Sequence, residues 1–326
     1  MHVAFAALKD RSRERIEAGL SNFSRVSKVS FVGDLAAAYD FAEHESPDLY
    51  VVGTDLVRRP EFKALLGLLK ALSIECVILL DEAENDEKIR LLCRDLNLAC
   101  VRFDDLAELF QSHTQISVPG KGPRKKISVS DESPRFDDGV ILLGASTGGV
   151  DALLQLLATF PKNCPGTVIV QHSGSGFSSG LVKLLDSHVL PDVIGADPLV
   201  PVQPGRVVLA PNGHRHLHIK RGTTLRVALE KSRMPHAHCP SIDELFLSAV
   251  PLAERVSAAV LTGMGRDGAK GLLALRQAGA RTFVQDEASS VVYGMPKAAY
   301  EMGGGEKILP LGQLGPALLA SRQRSV

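Results

Sequence analysis

Ser146 stands in "LLGASTGGVDALLQLL", where an apolar, strand-like run gives way to a Gly-rich bend and then to a helix-like run. Gly144, Ser146 and Gly148 satisfy G-x-S-x-G, a turn that holds a serine hydroxyl at the carboxyl end of a sheet strand. The next N–H, from Thr147, would then lie at a helix N-terminus, where it can stabilise an oxyanion. A bend of this kind can instead cradle a phosphate, although no Lys-Ser/Thr pair follows the glycines and no G-x-G-x-x-G is present. A nucleophilic serine needs a base, and the base needs an orienting carboxylate. His172 closes the next apolar run, "TVIVQH", and Asp267 lies in the Gly-rich "MGRDGAKG" that follows "SAAVLTG". Taken singly, each of the three could merely cap a strand or a helix. The order Ser146, His172, Asp267 is not the Ser, Asp, His order of α/β-hydrolases, so that fold is not implied.

Three such residues can meet only if their strands run parallel and end on one rim of a sheet. The strand-like runs "VILLGAS", "TVIVQH", "RVVLAP", "TLRVALE", "SAAVLTG" and "RTFVQD" are separated by helix-like runs such as "DALLQLLATF", "IDELFLSAVPLAER" and "AKGLLALRQAG". This pattern predicts a doubly wound, mainly parallel α/β domain over residues 139–326. Within it, "GRVVLAPNGHRHLHIKRGTTLRVALE" has strand character and turn signals but no room for a helix, which predicts an antiparallel hairpin. His214, His216 and His218 alternate there and would share one strand face. That suits a polar hairpin face or a metal site, and we assign no metal. Residues 1–112 alternate the apolar runs "HVAFAAL", "KVSFVG", "DLYVVG", "ECVILL" and "ACVRF" with amphipathic stretches, the pattern of five βα units around a parallel sheet. Between the two domains, "HTQISVPGKGPRKKISVSDESPRFDD" (113–138) is rich in Pro, Gly, Ser and charge and reads as a linker.

Composition narrows the function classes. With 37 basic and 37 acidic residues among 326, no global field favours nucleic acid or an anionic membrane, and the absence of Trp argues against a base-stacking surface. The opening apolar run meets charge at Lys9, too early for a signal-peptide core, and no later run is long enough for a spanning helix. Five cysteines without a CxxC pair read as reduced thiols, so a cytoplasmic protein is expected.

The ordered motifs "GASTGG", "VIVQH", "VLTGMGRDGA" and "QDEASSVVYGMPKAA" closely resemble the catalytic domain of CheB-type protein-glutamate methylesterases, over about Val140 to Gly304. The resemblance implies hydrolysis of γ-glutamyl methyl esters on the cytoplasmic helices of methyl-accepting chemoreceptors, often with deamidation of receptor glutamines, and no cofactor. Chemosensory signalling proteins would be further partners. By motif it makes Ser146 the nucleophile, His172 the base and Asp267 its orienter. Thr147 and Met264 become oxyanion donors, and Gly148 and His238 line the substrate. Where the family commonly reads like "NRHRPSVDVLF", this chain has "HAHCPSIDELF", so Ala237 and Cys239 replace two basic positions.

The N-terminal half has the βα order of a response-regulator receiver, the usual partner of such a catalytic domain. A receiver needs an acidic pair after its first strand and an aspartate at the end of its third. Here Ala6, Ala7 and Leu8 occupy the first place and Gly53 the second, while Asp55 lies two residues on and Asp81 follows the fourth strand. Without a carboxylate cluster neither Mg²⁺ nor an aspartyl phosphate is expected. A phosphorylation-independent esterase is therefore the leading expectation. A non-catalytic chemosensory adaptor and a phosphate or nucleotide binder at the Ser146 turn remain the alternatives.

Overall fold

A computed structural model describes residues 1–19, 23, 25–33, 35–45, 47–59, 62–72, 74–80, 87–112, 134–172, 178–211, 213–231 and 238–324. Most of the predicted linker (113–133), Asp81 and Ala237 lie outside them. The chain divides into two compact units, Met1–Gly122 and Pro123–Val326.

In the first unit, strands β1 (His2–Ala6), β2 (Lys28–Val32), β3 (Leu49–Gly53), β4 (Glu75–Leu79) and β5 (Ala99–Val101) form a parallel sheet in the order β2-β1-β3-β4-β5. This is the 2-1-3-4-5 order of a doubly wound sheet whose ligands bind at the carboxyl edge. Helices α1 (Asp10–Gly19), α2 (Leu35–Glu45), α3 (Thr54–Val57), α4 (Phe62–Ala71), α5 (Glu87–Leu96) and α6 (Leu106–Ser112) connect and flank the strands. At that carboxyl edge the backbone itself closes the space. Ala7 is left-handed (φ 49), and a Cβ on Gly53 would run into the Ala7 carbonyl oxygen. The cleft left there, lined by Ala7, Leu8, Gly53, Thr54 and Leu79 with Lys9, Ser12 and Asp55, measures about 10 Å³, room for one water at most. Asp55 sits in the first turn of α3 and is exposed, 3.9 Å from the Arg58 guanidinium.

The second unit holds a seven-stranded, all-parallel sheet and a separate two-stranded antiparallel hairpin. Strands β6 (Val140–Ala145), β7 (Gly166–Gln171), β8 (Asp192–Gly195), β9 (Arg206–Leu209), β12 (Val256–Val260), β13 (Arg281–Gln285) and β14 (Lys307–Leu309) lie in the order β14-β13-β12-β6-β7-β9-β8. The hairpin is β10 (Arg215–Lys220) and β11 (Arg226–Lys231). It falls inside the predicted stretch, whose first run, β9, joins the main sheet instead. Helices α7 (Gly149–Leu157), α8 (Ser178–His188), α9 (Ile242–Ala249), α10 (Ala269–Gln277), α11 (Met295–Glu301) and α12 (Leu311–Ala320) complete the unit. Residues 134–138 also belong here, since Phe136 pairs with Gln323 and the Asp137 N–H donates to the Arg322 carbonyl.

Strand β6 is buried along its whole length, which explains why its sequence is a continuous apolar run rather than an alternating one. Val140 and Leu142 pack in one cluster with Ile242, Leu245 and Phe246 of α9, while Ile141 and Leu143 are equally buried on the opposite face. Burial of three large α9 side chains, at about 1.5–3 kcal/mol each, fixes which face of that helix meets the sheet. Among the described residues, no helix is long and apolar enough to cross a membrane.

Candidate active site

The sheet reverses its winding beside β6, since the chain runs outward through β7 on one side and later through β12 on the other. That switch point is where a parallel sheet leaves a crevice at its carboxyl ends. The three predicted catalytic residues lie there, Ser146 and His172 directly after β6 and β7 and Asp267 at the end of the loop from β12 to α10. The His172 N–H donates to the Ala145 carbonyl (3.0 Å), and the Ser146 N–H donates to the Thr262 carbonyl (3.0 Å), so the ladder itself draws the three loops together.

Each loop is shaped by close backbone approach. Gly148 has φ 78, a conformation strained for other residues, and it caps α7 two residues after the serine. A Cβ on Gly263 would meet the Ser146 Cβ at 2.6 Å, so only glycine lets the β12 loop pass the serine this closely. Gln171 ties the first two loops together, its amide donating to the carbonyls of both Ser146 and His172 (2.9 Å each).

His172 Nε2 lies 2.9 Å from Asp267 Oδ2, and both side chains are largely buried, 9% and 12% exposed. Asp267 is held by more than the histidine. Its Oδ1 accepts from the Ser241 hydroxyl (2.9 Å) and from the N–H groups of Asp243 (3.0 Å) and Gly268 (3.0 Å). Its Oδ2 also accepts from the Ile242 N–H (2.8 Å). The carboxylate thus occupies the N-terminus of α9, where unpaired N–H groups and the helix dipole favour negative charge. Burial pushes this carboxyl upward, but the hydrogen bonds from His172 and from the Asp243 and Ile242 N–H groups outweigh it and hold it at about 2. Asp243 behaves oppositely, since burial pushes its carboxyl above the usual range while it accepts from the Gly271 N–H (2.7 Å).

With Nε2 committed to Asp267, Nδ1 is the ring nitrogen left over. Among the described residues, His172 Nδ1 is buried without a hydrogen-bond partner, and the half-buried Ser146 hydroxyl makes no hydrogen bond. The backbone N–H groups of Thr147 and Met264 likewise find no protein acceptor there. The Thr147 side chain is buried, whereas Met264 is 62% exposed. The His238 ring stacks on His172 with centroids 4.3 Å apart and planes 15° from parallel. Burial and the neighbouring His172 lower its imidazole value, with Asp267 pulling the other way.

The alternating histidines divide. His216 is buried and His218 half-buried on one face of β10, whereas His214 precedes the strand and is exposed. Among the described residues, no His, Cys, Asp or Glu cluster could hold a metal ion. The sequence motifs do not single out Ser241 and the α9 N-terminus as the cradle of Asp267. The pattern Ser241-x-x-Glu244 ahead of an apolar helical run was the available signal, and in the structure the Glu244 N–H donates to the Ser241 Oγ (3.3 Å).

Taken together, fold and site define a parallel α/β protein with a Ser, His and Asp gathered at the switch point of its sheet. The CheB methylesterase family matches residues 141–318. A protein-glutamate methylesterase/protein-glutamine glutaminase of Gluconobacter oxydans is 47% identical over 184 residues, 55% of this chain and 52% of its own length. A second, from Syntrophomonas wolfei, is 35% identical over 321 residues, 94% of this chain and 93% of its own. The crystal structure of the Thermotoga maritima CheB methylesterase catalytic domain superposes with a TM-score of 0.54 at 33% identity, covering 56% of this chain and 98% of that domain. This chain belongs to the CheB methylesterase family.

Proposed function

We propose that the protein is a serine hydrolase that removes methyl groups from glutamate methyl esters on the cytoplasmic helices of chemoreceptors, and deamidates receptor glutamines by the same route. The observation that carries this reading is the buried His172–Asp267 hydrogen bond through Nε2, which leaves Nδ1 unpaired and available as the base. Ser146 Oγ attacks the ester carbonyl as its proton passes to His172 Nδ1, and Asp267 steadies the imidazolium that forms. The tetrahedral oxyanion is received by the N–H groups of Thr147 and Met264, each such donor being worth about 3–4 kcal/mol of barrier. His172 Nδ1 then protonates the departing methoxide, and methanol leaves an acyl-Ser146. Water, deprotonated by the same nitrogen, attacks the acyl carbon and releases free glutamate and Ser146. With a glutamine substrate the leaving group is ammonia. Gly148 and His238 line the approach to Ser146.

The first unit acts without phosphate in this reading. Its closed cleft, the Ala7 carbonyl packed on Gly53, and the absence of an acidic pair at Ala6, Ala7 and Leu8 all support that. Five free cysteines suit a cytoplasmic setting. Incubation with a receptor fragment carrying methyl-labelled glutamates tests the reading. Labelled methanol should appear with the natural chain and should fall by orders of magnitude with Ser146→Ala. Methanol release that Ser146→Ala leaves intact would overturn it.

A further inference from the structure

The hairpin histidines take no part in the chemistry above, yet they meet the helix on which it depends. Three groups of β10 bond to three positions of α9 and its cap. His216 Nδ1 accepts the Ser241 N–H (3.0 Å), His218 Nε2 lies 3.1 Å from Glu244 Oε2, and the Ile219 N–H donates to the Ser248 hydroxyl (2.8 Å). Positions 241, 244 and 248 share one helix face, so a single strand grips the helix along its axis. Apolar burial of Ile242, Leu245 and Phe246 is non-directional and sets only which face of α9 turns inward. The three hydrogen bonds add directional constraints on its position along that axis.

We propose that His216 is a positioning residue for the reaction: it fixes Ser241 and the N-terminus of α9, which in turn fix Asp267 and, through it, the His172 ring. The proposal rests on the triad roles given above. His216 is 1% exposed, and its bond to the Ser241 N–H is itself buried. Ser241 is the hinge of the chain of contacts, because its N–H donates to His216 while its hydroxyl donates to Asp267. The two N–H groups that follow it, from Ile242 and Asp243, complete the carboxylate's seat. A displacement of Ser241 therefore disturbs three of the contacts to Asp267 at once. Because His216 Nδ1 accepts a hydrogen bond, it carries no proton, and the acceptor's place in the ring is what matters.

Two full-length variants separate positioning from mere packing. In His216→Asn the side-chain oxygen can take the place of Nδ1, whereas in His216→Gln the longer side chain carries its oxygen to the region of Nε2. Steady-state methanol release from the methylated receptor fragment should give His216→Asn a kcat near the natural value. For His216→Gln we expect kcat to fall about ten- to hundredfold with KM little changed, as small misplacements of catalytic groups do. The downfield NMR resonance of the His172 ring proton bonded to Asp267 should survive in His216→Asn and shift or vanish in His216→Gln. Equal kcat in the two variants, or a His172 signal unchanged in both, would overturn the proposal. If the natural chain released no methanol, the proposed reaction would fail, while the NMR comparison would still decide the role of His216.

Discussion

Replacing Asp267 by Asn keeps the shape of the side chain and removes its charge. The carboxylate accepts from Ser241, Ile242, Asp243, Gly268 and His172, and an amide can offer only one oxygen to those donors. Its folded-state value of about 2, against the ordinary 3.8, corresponds to about 2–3 kcal/mol of stability at neutral pH. Because the folded value lies below the unfolded one, that stability is complete above the ordinary carboxylate range and is lost as pH falls through about 2. Roughly half of it should remain near pH 3. Urea unfolding of the full-length chain and of Asp267→Asn, read from NMR methyl signals of Val168 and Val260, isolates the second unit's transition. The stability gap between the two proteins should narrow by about 1 kcal/mol from pH 7 to pH 3. A gap that stays constant over that range would refute the reasoning, since it would mean the charge is not what the α9 N-terminus holds.

Ser146→Ala, His172→Ala and the double variant should lose similar, large factors in kcat because the two act as a unit, and independent multiplying losses in kcat measurements would contradict this. His238→Ala removes the ring stacked at 4.3 Å on His172 and should lower kcat severalfold without changing the thermal midpoint. An unchanged rate would show the stack to be incidental. Acetyl phosphate with Mg²⁺ should change neither the rate of methanol release nor the intact mass, and one added phosphoryl group would contradict the closed cleft at Gly53, with Asp55 the first residue to examine.

Much of this architecture is legible in the amino-acid sequence, for a physical reason. A strand buried on both faces is mostly apolar, so β6, β7 and β12 announce themselves, and the loops that follow them share one rim. Other elements lack such a signal. Strand β8 is four residues and β14 is three, both outermost in the sheet. Helix α12 carries Pro316 in its interior, against its own propensity, and is held instead by packing of Leu314 and Leu318. The seat of Asp267 is harder still to read, because Ile242 and Asp243 act through backbone N–H groups that any residue type except proline provides. His216 was visible only as one member of an alternating run, with nothing in the sequence to separate it from His214 and His218.

The direct test of the central assignment is reaction of the full-length protein with a fluorophosphonate, followed by intact mass and peptide mapping. A serine activated by His172 and Asp267 should take up a single adduct on the peptide bearing Ser146, and His172→Ala should take up none. An adduct on another residue, or none from a preparation that still releases methanol, would contradict it.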